Sequence, residues 1–218
     1  MPIIKPSDQQ LIQAKFDREL VGEVPITLYT QKSAGSVLLG LECAYCQQTQ
    51  ELLEDLAGLS PKLHLEVMDF VVDAGKAQKE GVDKIPAILM GKGRRLRFFG
   101  LPSGYEFAAT IETMVDVSRG STSLSQATKE GLKKIDKPVH LQVFVTPTCP
   151  YCPQAARLAH QMALESPLIT ADVVEITEFP HLAQRYRVQG VPKVVINDKV
   201  EFVGAQPEAQ FLSYVLTA

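Results

Sequence analysis

Cys149-Pro150-Tyr151-Cys152 sits where the apolar run 139–145 gives way to a helical pattern starting at Pro150. Forty residues after Cys152 stands Pro192, inside Gly190-Val191-Pro192-Lys193-Val194-Val195-Ile196. The arrangement occurs twice. Cys43-Ala44-Tyr45-Cys46 is followed, forty residues after Cys46, by Pro86 in Lys84-Ile85-Pro86-Ala87-Ile88-Leu89. A motif repeated with its internal spacing intact calls for two units of one design.

A dithiol at a helix start is chemically poised. Unpaired N–H groups and a partial positive charge favour thiolate over thiol, and in such settings the attacking sulfur falls from ~8.5 into the range ~3.5–7.5. Two intervening residues let one sulfur attack a disulfide and the other resolve the mixed disulfide. The first cysteine of each pair, Cys43 and Cys149, is expected near the open end of its helix. Cys46 and Cys152 are expected deeper.

The chain has 218 residues, enough for two domains, each with its own core. A net charge of −3 with 45% hydrophobic residues argues against a nucleic-acid or membrane partner. The start lacks a basic stretch leading into an apolar core, so no signal peptide is expected. All four cysteines belong to the two motifs, which fits a cytoplasmic redox or metal protein better than a disulfide-stapled one.

In chain order, Ser7 to Gln10 reads as a capping box opening a helix with Leu11, Ile12, Phe16 and Leu20 on one face. A strand over 24–30 follows. Segment 31–42 is longer than its counterpart before Cys149 and reads as a short extra strand or a lip. A helix from Cys43 to Gly58, a strand over 62–72, a short helix capped by Asp73, a hairpin over 86–99 and a helix from Pro102 to about Val117 complete one unit. The apolar pattern lapses at 119–123, which places a boundary between units 1–120 and 121–218. Ser123 with Gln126 then reads as a second capping box, and the order repeats: strand 139–145, helix 150–165, strand 168–176, helix 179–187, strands 193–197 and 199–203, helix from Pro207. Glycine and phenylalanine are seven apart in both Gly100/Phe107 and Gly204/Phe211.

Several plainer readings stand beside these. Two CxxC pairs can hold zinc, yet ligand pairs in compact zinc modules lie much closer together than the roughly hundred residues here, and each pair has its own proline. No metal is therefore expected. The matched offsets favour cis bonds before Pro86 and Pro192, where a flat backbone edge would receive a client as an added strand. His64, His140, His160 and His181 read as structural or surface residues. Arg94, Arg95 and Arg97 read as the solvent face of an edge strand rather than an anion groove.

The CPYC motif has the glutaredoxin form, and Gly190-Val191-Pro192 resembles the cis-proline loop of thioredoxin-like proteins. With both CxxC motifs present, and with 143–153 and 100–107 close to its signatures, the whole chain resembles the glutaredoxin-like protein disulfide oxidoreductases. The resemblance implies an α/β fold of two tandem thioredoxin-fold units, each a central mixed sheet flanked by helices. It implies redox roles for Cys43, Cys46, Cys149 and Cys152. Tyr45, Tyr151, Ile85, Pro86, Val191 and Pro192 would meet the client. It also implies a flavoprotein thioredoxin reductase as electron donor and a peroxiredoxin as a client. Two departures stand out: Ala44 replaces the glutaredoxin proline, and no acid lies near Val143, where thioredoxins bury an aspartate.

The expected function is dithiol–disulfide exchange on protein disulfides without a bound organic cofactor. The alternatives are an electron shuttle to a peroxiredoxin, like the tandem N-terminal domain of the alkyl hydroperoxide reductase flavoprotein, and a redox-independent peptide-binding chaperone module.

Overall fold

Two seven-residue segments, Val24–Thr30 (β1) and Val139–Val145 (β5), are buried along nearly their whole length, as strands covered on both faces must be. Each leads into a CxxC. The computed structural model describes residues 3–31 and 43–218; segment 32–42, read from sequence as strand or lip, lies outside the described residues. The first half comprises α1 (Pro6–Glu19), β1, α2 (Cys46–Gly58), β2 (Leu63–Asp69), α3 (Ala74–Lys79), β3 (Ala87–Met90), β4 (Leu96–Phe99) and α4 (Tyr105–Arg119). The second comprises α5 (Gln126–Leu132), β5, α6 (Cys152–Glu165), β6 (Ile169–Glu175), α7 (Pro180–Arg185), β7 (Lys193–Ile196), β8 (Val200–Val203) and α8 (Glu208–Thr217).

The strands form one sheet in the order β2-β1-β3-β4-β6-β5-β7-β8. Within each half the first strand pairs parallel with the second and antiparallel with the third, and the third pairs antiparallel with the fourth. The halves join where β4 and β6 pair in parallel. Following these senses across the sheet makes β1 and β5 parallel, so both CxxC motifs emerge on the same rim.

Strand alternation sends side chains to two faces. Ile26, Leu28, Leu141 and Val143 point into the larger core, roofed by α1, α2, α4, α5, α6 and α8, whereas Tyr29, Leu89, Phe99 and Phe144 point into a smaller one under α3 and α7.

The junction departs from the sequence reading in an instructive way. Arg97 is not on the solvent face of an edge strand. Because β6 covers that edge, Arg97 is buried, and its Nε and Nη2 donate to Asp172 at 2.5 and 2.9 Å. Its Nη1 donates to the Glu80 and Gly81 carbonyls, and His140 Nε2 lies 2.8 Å from Asp172. Burial alone would raise the Asp172 carboxyl, but His140 and Arg97 together hold it below the usual aspartate range. On the other face α4 packs on α6, and His160 bridges Thr113 and the Arg97 carbonyl.

Local corrections concern helix starts and one apolar face. Pro6 opens α1 after Lys5, so Ser7 lies inside the helix and makes no capping box; Leu11 faces solvent while Ile12 and Phe16 are buried. Ser125, not Ser123, caps α5 by accepting from Thr128 N–H, and Ser123 instead receives Gln161 Nε2. Pro150 lies in the turn before α6, and Pro153 is the proline of its first turn.

Candidate functional site

Each CxxC closes a turn into the first residue of a helix, α2 at Cys46 and α6 at Cys152, with Tyr45 and Tyr151 at the N-cap positions. The sulfurs pair within each motif, Cys43 with Cys46 and Cys149 with Cys152, at Cα separations of 5.5 and 5.4 Å. Cys46 and Cys152 are nearly inaccessible, at 2% and 0%. Cys43 is half-buried, while Cys149 is 8% exposed, less open than a first-position cysteine was expected to be. Tyr45 and Tyr151 are exposed beside them.

The peptide bonds Ile85-Pro86 and Val191-Pro192 are cis, and both prolines are buried beside half-buried Ile85 and Val191. Cys149 Sγ lies 3.7 Å from the Val191 carbonyl oxygen. In the first half, Gln31 N–H donates to Cys46 Sγ at 3.4 Å and Cys43 N–H donates to the Gln31 side chain. Cys43 and Ile85 line one cleft of about 360 Å³ with Phe70, Lys84 and Glu178. The structure thus puts Cys43 beside Ile85 and Cys149 beside Val191. It keeps the two pairs apart: β1 and β5 are four strand spacings from one another, roughly 19 Å at ~4.8 Å per strand. Direct sulfur exchange between the motifs is beyond reach at that separation.

Residues 139–217 match the model of the thioredoxin domain family. A thioredoxin of Methanocaldococcus jannaschii is 38% identical over 68 residues, which is 31% of this chain and 80% of that protein. The crystal structure of a protein disulfide oxidoreductase from Aeropyrum pernix superposes with a TM-score of 0.88 at 32% identity, covering 97% of this chain and 92% of that one. The chain belongs to the thioredoxin-fold protein disulfide oxidoreductases. One component of the alkyl hydroperoxide reductase of Staphylococcus aureus is 22% identical over 154 residues, 69% of this chain and 28% of the length of that component.

In this disulfide oxidoreductase no acid lies near Val143, but a buried one lies on α4, the helix of the first half whose start packs on the Cys149 loop. Tyr105 N–H, at the start of α4, donates to the Pro147 carbonyl two residues before Cys149, and Gly104, at φ 58, packs so closely that a Cβ there would lie 2.1 Å from the same oxygen. The next residue, Glu106, is 1% exposed, and neither carboxylate oxygen has a hydrogen-bond partner among the described residues. Burial raises its pKa to about 7. The sequence did carry a signal, since Glu106 shares its helical face with Ala109, Thr110 and Thr113, all buried. No described helix is long and apolar enough to cross a membrane.

Proposed function

We propose that both CxxC pairs exchange electrons with disulfides in protein clients. In the reducing direction the thiolate of Cys43 or Cys149 attacks a client disulfide and forms a mixed disulfide, and one client sulfur leaves as a thiolate that takes up a proton. Cys46 or Cys152 then attacks the enzyme sulfur, re-forming the internal disulfide and releasing the second client thiolate. Two electrons pass from enzyme to client, and the reverse sequence oxidises a dithiol. The observation that carries this reading is the second cysteine of each pair, buried under its partner at the first residue of a helix.

Glu106 is our candidate for taking the Cys152 proton, being a buried carboxyl without a hydrogen-bond partner among the described residues, on the helix whose start is held against the Cys149 loop. Tyr45, Tyr151, Ile85, Pro86, Val191 and Pro192 form the client edges, with Ile85 and Val191, the residues before the cis-prolines, offering backbone to an incoming strand. We place the boundary between the functional units at 120/121, where Gly120 ends α4 in a left-handed cap. The reading includes a cytoplasmic setting, a part in cell redox homeostasis, a thioredoxin reductase as donor and a peroxiredoxin among the clients. The likeness to an alkyl hydroperoxide reductase component supports the last of these.

The test is insulin-disulfide reduction by a Cys43→Ser/Cys149→Ser variant. Folding that matches the parent, with activity lost, is the expected result. Undiminished turnover would overturn the reading.

A further inference from the structure

The internal repeat allows the two client grooves to be compared position by position. In each half the second strand of the hairpin runs into a glycine with positive φ that hydrogen-bonds back to the cis-proline: Gly100 N–H to the Pro86 carbonyl at 2.9 Å, and Gly204 N–H to the Pro192 carbonyl at 2.8 Å. These glycines border equivalent sides of the two grooves, yet their surroundings differ. A Cβ built on Gly100 would meet Glu175 Cβ at 2.8 Å and Glu178 Oε1 at 2.9 Å, whereas one on Gly204 would meet nothing within 4 Å. The cause is topological. β6 and the segment after it continue past β4, while no described strand follows β8 in the sheet.

The Cys43 cleft accordingly has a second wall borrowed from the other half. Phe70 and Val71 stand among its lining residues from the segment after β2, and Glu178, Phe179 and His181 from the segment after β6. Glu178 is tethered by Leu101 N–H, which donates to its Oε1 at 2.7 Å. We propose that the Cys43 dithiol acts on extended, unfolded client segments carrying a basic residue next to the reacting cysteine, with Glu178 as the specificity-determining contact, while the Cys149 dithiol, unwalled at Gly204, also serves folded proteins. The inference rests on the exchange chemistry proposed above and goes further by dividing the clients between the two sites.

An added strand needs only ~4.8 Å of lateral space, so an extended segment can enter between the walls where a folded surface is held off. The charge of the cleft selects the sign of its occupant. Lys84 is paired with Asp83 and lies over the Phe99 ring, and His181 packs edge-on against Phe179, which among the described residues of the cleft leaves Glu178 as the acidic group open to a client cation. Burial, with a contribution from neighbouring Glu175, raises the Glu178 pKa to about 7 despite the Leu101 hydrogen bond. A preference for basic clients therefore strengthens as pH rises through that value.

Single-turnover reduction with pre-reduced single-site variants tests the proposal. Cys149→Ser/Cys152→Ser keeps the Cys43 site, and Cys43→Ser/Cys46→Ser keeps the other. The probes are a short unstructured peptide homodimer joined by one disulfide, with Arg or Glu beside the cysteine, and an immunoglobulin domain with an engineered surface disulfide. The ratio of peptide rate to folded-protein rate should be on the order of tenfold higher for the Cys43 site, a difference of ~1.4 kcal/mol. Glu178→Gln in that variant should raise the Arg-peptide concentration needed for half-maximal rate about fivefold, the upper range for an exposed ion pair, and abolish the preference for Arg over Glu. Equal ratios at the two sites, or an Arg preference that survives Glu178→Gln, would overturn the proposal. Failure of both variants on every disulfide would instead refute the exchange chemistry beneath it.

Discussion

Arg97 and Asp172 meet across the single parallel pairing that joins the two halves, and both nitrogens of one guanidinium edge rest on one carboxylate, at 2.5 and 2.9 Å. The geometry is bidentate and both side chains are nearly inaccessible, so neither charge has water to fall back on.

Removing one partner should therefore cost more than removing both. Arg97→Met leaves Asp172 charged and buried, and we expect a loss of ~3–5 kcal/mol. Arg97→Met/Asp172→Leu should recover much of it, because apolar replacement of a buried pair is often neutral. Urea denaturation of both variants checks the order. A double variant less stable than the single one would contradict it.

His160 supplies an acid-side dependence. Its pKa falls from the ordinary histidine value of 6.5 to about 4, mainly because burial disfavours the charged ring, with only partial relief from the Arg97 carbonyl. A depressed folded pKa means the unfolded chain binds the proton more tightly. The contribution is fully present above pH 6.5 and lost as pH falls toward 4, amounting to ~3 kcal/mol. Asp172, also depressed, adds to the loss at still lower pH. Stability measured by urea across this window should fall less steeply in His160→Gln than in the parent.

Glu106 has the opposite sign. Its folded pKa of about 7 lies above the ordinary glutamate value of 4.5, so its contribution is complete below 4.5 and disappears as pH rises through 7. Glu106→Gln should make the protein more stable than the parent above pH 7. If the carboxylate takes the Cys152 proton, the same change should slow client reduction by the Cys149 site on the order of 100-fold, with partial rescue in Glu106→Asp. Faster unfolding at alkaline pH, or unaltered exchange rates, would remove Glu106 from this role.

Alkylation order reports which sulfur attacks. Among the four, Cys43 is the most open and Cys152 the least. In the reduced protein at mildly acidic pH, peptide mapping should find label on Cys43 before Cys46 and on Cys149 before Cys152, with the larger contrast in the first pair. Label on Cys152 ahead of Cys149 would reverse the proposed roles at that site.

Much of the fold was legible because its signals are local. The apolar runs gave β1 and β5, the short break between the strands read at 193–197 and 199–203 gave the second hairpin, and the doubled CxxC with its proline gave the repeat. What escaped was long-range. The alternation of Arg95, Leu96 and Arg97 is the pattern of an edge strand, and it misled because β6, about seventy-five residues on, covers that edge and places Asp172 opposite Arg97. Glu106 and Glu178 escaped for the same reason, since each lies on a segment of one half that packs against the other. Helix starts were misplaced by two or three residues wherever a proline competed with a serine as the opening signal, as at Pro6.

The parallel junction between β4 and β6 is a head-to-tail contact, and such contacts do not close by themselves. Among the described residues the sheet ends in β2 on one side and β8 on the other, which are the counterparts of β6 and β4. If a second molecule docked through these edges in the register of the internal junction, Phe202 would take the place of Phe98 and Val67 that of Val173, while Glu201 and Glu66 would stand where Arg97 and Asp172 attract one another. Two carboxylates would face each other at the centre of the contact. The attraction that joins the two repeats thus has no equivalent at the outer margins, where Glu201 pairs with Lys193 and Glu66 with Lys76 and Arg94 of their own half.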